Sequence, residues 1–123
     1  MALGFVGAAV AAMEFDYAVV LRFSDGSEVR VETEFTLQSG SGQPEHVVPG
    51  DDSARLRTSR LRGTRVNEAT VESSGRLRLL FNDGTLLQVP PDEEYEAWTS
   101  TGPHGELVVC GPGGLVSDWG ARS

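Results

Sequence analysis

The chain has 123 residues, of which 39% are hydrophobic, and it carries ten arginines, no lysine and a formal net charge of -8. This length and hydrophobic content predict a single globular domain, residues 1–123, whose core needs no disulfides. The acidic balance argues against general binding to nucleic acid or to an anionic membrane. The one cysteine, Cys110, excludes an intrachain disulfide, which fits a reducing compartment.

The first thirteen residues are apolar and rich in alanine and glycine. A signal peptide has a positively charged region ahead of its apolar run, and this segment has no basic residue there. The run is also shorter than the roughly 20 residues of a membrane span. We therefore predict a first strand over residues 6–14, with Ala8, Ala11 and Met13 facing inward. A cytoplasmic location is the default expectation.

The next element is a hairpin over residues 17–36 that turns at Asp25-Gly26. A two-residue loop would place Leu21 opposite the charged Arg30. A three-residue loop, residues 24–26, instead places Leu21 opposite Val29 and keeps one face of the hairpin apolar. We therefore predict the longer loop, with Gly26 in the left-handed backbone region.

A flexible turn at residues 38–43 and a short return strand at 44–48 precede a predicted helix over residues 52–62. Aspartate or serine at positions 51–53 can cap its start, and Gly63 stands where a helix ends. Strands are then predicted at about 65–72, at a second hairpin over 77–89, and at 95–101, 106–110 and 115–119.

The second half repeats the first. Residues 3–31 align without gaps on 61–89 with eight identities, and a three-residue shift then aligns 45–50 with 106–111. We predict an internal duplication, with repeats at about 3–50 and 61–111 joined by the helix at 51–62. The fold class is therefore mainly β: two tandem antiparallel meanders that form a sandwich or a partly open barrel.

A distinctive string reads Gly-x-Leu-x-Leu-x-Phe-x-Asp-Gly over residues 75–84, then Val-Pro-Pro-Asp at 89–92 and Tyr-Glu-Ala-Trp at 95–98. It continues with Thr-Gly-Pro at 101–103 and Val-Val-Cys-x-Pro-Gly-Gly at 108–114. This pattern resembles an uncharacterised family of small β-rich proteins found chiefly in actinobacteria. The family has no assigned activity, so the resemblance supplies no functional residues.

Candidate chemistry is sparse. Cys110 would need a base such as His104 beside it to act as a nucleophile, and a buried structural cysteine is the favoured interpretation. The acidic cluster at residues 92–96 lacks a calcium-loop pattern and is better explained as a solvated edge. The two histidines, His46 and His104, show no metal-ligand spacing. We expect no catalytic residue, no metal and no cofactor.

The charge distribution is the one functional lead. Arginines crowd the predicted helix and its exit, whereas residues 82–119 carry acids and no arginine or lysine. A site for a polyanion or an acidic partner, or head-to-tail self-association, would use this separation, and a solvated helix face with ion pairs inside the chain is the favoured alternative. Tyr95, Trp98 and Trp119 are of the residue types that anchor interfaces, and core packing is an equally supported interpretation of the two tryptophans. The candidate partner surface comprises Arg55, Arg57, Arg60, Arg62, Arg65, Tyr95 and Trp98.

These features favour a non-catalytic protein-interaction module, and self-association as a homodimer is one form of it. A β-barrel that binds a small ligand is the alternative, and an enzyme that uses Cys110 or the acidic cluster is the second alternative. Nucleic acid and membrane are not expected partners.

Overall fold

Alternating apolar residues form short antiparallel strands throughout the computed structural model, which describes residues 1–120. The first half contains β1 (Val10–Phe15), β2 (Val19–Phe23), β3 (Glu28–Val31), β4 (Phe35–Ser39) and β5 (Glu45–Val47). The second half contains β6 (Val66–Val71), β7 (Leu77–Phe81), β8 (Thr85–Val89), β9 (Trp98–Thr101), β10 (Leu107–Cys110) and β11 (Val116–Trp119).

The strands build two antiparallel sheets, and each sheet contains strands from both halves of the chain. One sheet has the order β1-β2-β3-β9-β10-β11, and the other has the order β5-β4-β8-β7-β6. Strands β4 and β9 each leave their own hairpin and pair with the hairpin of the other half. The predicted mainly β class with two packed sheets is confirmed, and the strands of the described residues do not close into a barrel.

The predicted hairpin register is also confirmed. Leu21 lies opposite Val29, and Arg22 lies opposite Glu28, as the three-residue loop requires. Gly26 has a φ of 91°, so the turn uses the left-handed region that glycine adopts without strain. The second hairpin follows the same register over β7 and β8.

The first strand differs from its prediction. β1 begins at Val10, and its register against β2 shifts between Val10 and Ala12. This β-bulge leaves Ala11 as the extra residue, and Ala11 is exposed, so its predicted inward position is wrong. Ala8 is buried as expected, in a segment whose backbone bonds to β6 rather than to β2.

The gap-free alignment of the two halves is wrong in its first strand. Phe15 pairs with Val19 across a short turn, whereas the corresponding pair in the second half spans the longer turn at residues 72–76. At the other end, Phe35 pairs with Val47 as Trp98 pairs with Cys110. The duplication itself stays a prediction from the sequence.

The predicted helix lies where expected but has two parts. The α-helix α1 spans Asp52–Thr58, and a 3-10 turn at Ser59–Leu61 follows it. The carboxylate of Asp51 accepts a hydrogen bond from the backbone N–H of Ser53 at 3.2 Å and caps the helix. Neither these elements nor the 3-10 turn at Pro112–Gly114 has the length and apolar character needed to cross a membrane within residues 1–120.

Candidate functional site

The helix α1 and the 3-10 turn that follows it carry two of the predicted arginines beside an exposed leucine. The guanidinium carbon of Arg55 lies 4.9 Å from the centre of the Phe15 ring, a cation–π distance. Arg60 forms an ion pair with Glu45 at 3.3 Å. Leu56 lies between them in sequence and is 81% exposed. We call Arg55, Leu56 and Arg60 the helix surface.

Of the other three predicted arginines, Arg57 lines one depression together with Leu56 and Arg60, whereas Arg62 and Arg65 do not extend this surface. Arg57 donates a hydrogen bond to the carbonyl oxygen of His46 at 3.1 Å and ties α1 to β5. Arg65 donates to the carbonyl oxygen of Gly7 at 3.0 Å, away from the helix. Arg62 is exposed after the 3-10 turn. Four of the five arginines therefore contact another part of the chain, namely Arg55, Arg57, Arg60 and Arg65.

Trp98 cannot belong to a partner surface, because its side chain is 0% exposed. It faces the interior between the two sheets. Its indole N–H donates a hydrogen bond to the carbonyl oxygen of Gly75 at 3.0 Å, in the turn between β6 and β7. The prediction that Trp98 lines an interface is wrong: β9 is an inner strand, and its pleat turns this side chain toward the core.

Tyr95, by contrast, is 70% exposed and lies in a depression of about 390 Å³ that a second exposed tyrosine shares. Tyr17, in the turn between β1 and β2, is 78% exposed. Carboxylates complete the lining. We call this site the acidic tyrosine pocket; it is lined by Tyr17, Glu32, Asp92, Tyr95 and Glu96.

Asp92 shapes the loop that presents Tyr95. One carboxylate oxygen of Asp92 accepts hydrogen bonds from the backbone N–H groups of Glu94 at 2.8 Å and of Tyr95 at 3.1 Å. The other oxygen accepts a bond from the Thr33 hydroxyl at 3.4 Å. These bonds, led by the one from the Glu94 N–H, lower the pKa of Asp92 because they favour the charged form. The predicted acidic edge thus contains one carboxylate with a defined structural role.

Removing this carboxylate is expected to loosen the loop. In Asp92→Ala the amides of Glu94 and Tyr95 lose their acceptor, so both should exchange with solvent faster. Asp92→Asn keeps an oxygen acceptor and should protect them better than alanine does. Amide hydrogen exchange measures both variants, and equal exchange of these two amides in Asp92→Ala and the unmodified protein would contradict the role of the side chain.

The same bonds predict a pH dependence. Because folding lowers the pKa of Asp92, its stabilising contribution is present above the pKa of an unfolded aspartate, about 3.9. It is lost as the pH falls through the lower folded value. A carboxyl titration by NMR checks this, with Asp92→Asn as the control that lacks the transition.

The acidic tyrosine pocket adjoins the helix surface. A side chain added at Gly50 would come within 3.8 Å of the Asp16 carbonyl oxygen and 3.9 Å of the Tyr17 Cα. Gly50 leads directly into α1, and a groove beside it is lined by Asp16 and Arg55 among others. The turn that carries Tyr17 therefore touches the segment that starts the arginine-bearing helix.

Cys110 is 0% exposed on the inner side of β10, and burial raises the pKa of its thiol. His104 is exposed in the turn before β10, at the far end of the strand from Cys110. Strand geometry places about 10 Å between the first and last residues of this strand. The two side chains therefore do not form a nucleophile and base pair.

Two further features concern ligands. Within residues 1–120 no group of three histidine, cysteine, aspartate or glutamate side chains is placed to hold a metal ion. A second cavity, of about 240 Å³, lies beneath residues 1–5 against Ser100 and Val108. It is smaller than the roughly 300–1,000 Å³ of ordinary small-molecule sites, and it lies at the edge of the sheets rather than inside a barrel.

Sequence reasoning missed Tyr17 and Glu32, which stand far from Tyr95 in the chain. They join it because β3 pairs with β9, so the segments that follow β3 and precede β9 meet at one end of the sheet. The available signal was a large aromatic residue at the very start of the predicted hairpin, where nothing in the hairpin pattern requires one.

Comparisons with known proteins identify a family but supply no function. No curated protein and no solved structure matches the chain. A family model described as a family of unknown function, DUF6188, matches residues 1–120. The chain therefore belongs to this family of unknown function.

Proposed function

We propose that the protein is a non-catalytic protein-interaction module that binds a cationic segment in the acidic tyrosine pocket. The observation that carries the proposal is the pairing of two strongly exposed tyrosines, Tyr17 and Tyr95, with the carboxylates of Glu32, Asp92 and Glu96 in one depression.

The chemistry of the pocket suits a guanidinium or ammonium group. The face of a tyrosine ring attracts a cation within about 6 Å of its centre. Among residues 1–120, Glu32 has one ion pair, a long one of 3.7 Å to Arg30, and Glu96 has none. Both carboxylates can therefore pair with an added cation. Tyrosine is also a residue enriched in protein interfaces, where its ring contributes area at a low entropic cost.

The absence of catalysis is part of the proposal. The raised pKa of the Cys110 thiol keeps it protonated at neutral pH and therefore a poor nucleophile. The lowered pKa of Asp92 keeps it ionised, so it does not serve as a general acid there. Both properties argue against a catalytic role at these two positions.

We further expect the protein to act in the cytoplasm, without nucleic acid or membrane as a partner. The net charge of -8 supports this, because polyanions and anionic lipid surfaces repel an acidic protein. An actinobacterial source is the remaining expectation from the sequence pattern.

Binding of tetra-arginine amide, measured by isothermal titration calorimetry, tests the proposal. We expect the peptide to bind, to bind less tightly at higher salt, and to lose about tenfold in affinity in Glu32→Gln/Glu96→Gln, which removes two exposed ion pairs. Tyr17→Ala/Tyr95→Ala should weaken binding as well, through loss of the cation–π contacts.

The matched control is Glu68→Gln/Asp118→Asn, which also removes two negative charges, at exposed positions on β6 and β11. It should leave the affinity nearly unchanged. If the control loses as much affinity as the pocket variant, the peptide senses only the overall negative charge and the proposed site is wrong.

A further inference from the structure

We infer that the cationic partner of the acidic tyrosine pocket is the helix surface of a second copy of this chain, in a symmetric dimer. This inference rests on the proposed function and names its partner. The helix surface carries two guanidinium groups around the exposed side chain of Leu56. That of Arg55 lies over the Phe15 ring, and that of Arg60 shares Glu45 as an ion-pair partner within the chain. Charge and apolar area therefore match what the pocket offers in carboxylates and tyrosine rings.

The position of the two surfaces favours a two-fold arrangement. They adjoin where Gly50 approaches Tyr17, and a groove beside Asp16 and Arg55 joins them. A two-fold axis near this junction places each pocket on the helix surface of the other protomer, so every contact forms twice and the assembly closes. A head-to-tail contact would leave an open pocket at one end of a growing chain and an open helix surface at the other end.

Half of the strongly exposed apolar side chains lie on the two surfaces or on the segment between them. Eight large hydrophobic or aromatic side chains are strongly exposed among the described residues, and four of them belong to the pocket, to the helix surface or to the segment between β5 and α1: Tyr17, Val48, Leu56 and Tyr95. An apolar centre with a charged rim is the usual composition of a specific interface. A standard interface buries about 800 Å² per partner, which is a small part of the total surface of 6453 Å².

A charge exchange tests the dimer. Glu32→Arg/Glu96→Arg makes the pocket basic, and Arg55→Glu/Arg60→Glu makes the helix surface acidic. In sedimentation velocity at about 0.1 M salt, where long-range repulsion is screened, we expect the unmodified protein to dimerise and each variant alone to remain monomeric. An equimolar mixture of the two variants should dimerise again, because each altered surface then meets its complement.

A second pair of variants removes exposed apolar surface without altering the charge of the protein. Leu56→Gln should raise the dimer dissociation constant by about tenfold, a loss comparable to exposing a leucine-sized contact. Val6→Gln, at another exposed apolar residue far from the helix in the chain, should leave it unchanged. Equal effects of the two substitutions would overturn the assignment of Leu56 to the interface.

Three results would overturn the inference: a monomeric unmodified protein, a mixture of variants that stays monomeric, or growth of the unmodified protein beyond a dimer, which indicates head-to-tail contact. Arg55→Glu/Arg60→Glu leaves the residues of the pocket unchanged. It therefore distinguishes a failure of the dimer from a failure of the proposed cation-binding function. If the protein does not dimerise but this variant binds tetra-arginine amide, only the partner is wrong. If the variant also fails to bind the peptide, the proposed function fails with it.

Discussion

Replacing Trp98 by alanine is expected to lower the free energy of unfolding by about 3–5 kcal/mol, the usual cost of truncating a fully buried aromatic residue. Stability of a domain is only about 5–15 kcal/mol in total, so this change removes a large fraction of it. The indole is 0% exposed and its N–H donates to the carbonyl oxygen of Gly75 at 3.0 Å. Truncation leaves both a cavity and an unpaired buried acceptor.

Urea unfolding measures this change, and the chain offers its own matched control. Trp119 on β11 is 46% exposed, so Trp119→Ala should cost about 1 kcal/mol or less. A third variant, Trp98→Phe, retains most of the ring volume but leaves the Gly75 carbonyl without its donor, which should cost about 1–3 kcal/mol. Equal destabilisation by Trp98→Ala and Trp119→Ala would contradict the buried position of Trp98.

The sequence alone predicts those parts of the fold that depend on interactions between residues close together in the chain. The alternation of Leu21, Val29 and their neighbours admits only one register with a continuous apolar face, so the loop length follows from the residues. The helix follows from its cap at Asp51 and its stop near Gly63. Both predictions depend on residues that are close together in the chain.

The parts that sequence reasoning missed depend on long-range pairing. Trp98 and Tyr95 are only three residues apart, yet one is 0% exposed and the other 70% exposed. Their difference arises because β9 pairs with β3 on one side and β10 on the other. The bulge at Ala11 has a similar origin, because nothing in the local pattern requires the strand to shift its register there.

The buried tryptophan nevertheless supports the exposed site. Trp98 holds the turn that contains Gly75, and Gly75 packs directly against the backbone of Gly114. The neighbouring Gly113 N–H donates to the carbonyl oxygen of Asp92 at 2.8 Å. Asp92 in turn orders the loop that presents Tyr95. A continuous set of contacts therefore links the core to the acidic tyrosine pocket.

Substitution of Gly75 by alanine tests this link. Gly75 has a φ of 95°, and an added Cβ would lie 2.7 Å from the Gly114 carbonyl oxygen and 2.8 Å from its Cα, where real Cβ atoms are essentially never found. Gly84 is the matched control, because its φ of 88° is similar but an added Cβ would contact nothing within 4 Å. Gly84→Ala should therefore cost only the backbone strain, about 1–3 kcal/mol.

Gly75→Ala should cost that strain and about 1–3 kcal/mol in addition, because two backbone segments must move apart. The movement displaces the segment of Gly113 and Gly114 that holds Asp92, so this variant should also bind tetra-arginine amide less tightly. Gly84 lies in the turn between β7 and β8, so Gly84→Ala should leave the peptide affinity unchanged. Chemical unfolding and calorimetry measure the two effects, and equal stability losses in the two variants would show that the Gly75–Gly114 contact does not constrain the fold. A normal peptide affinity in Gly75→Ala would show that the pocket keeps its shape without this support.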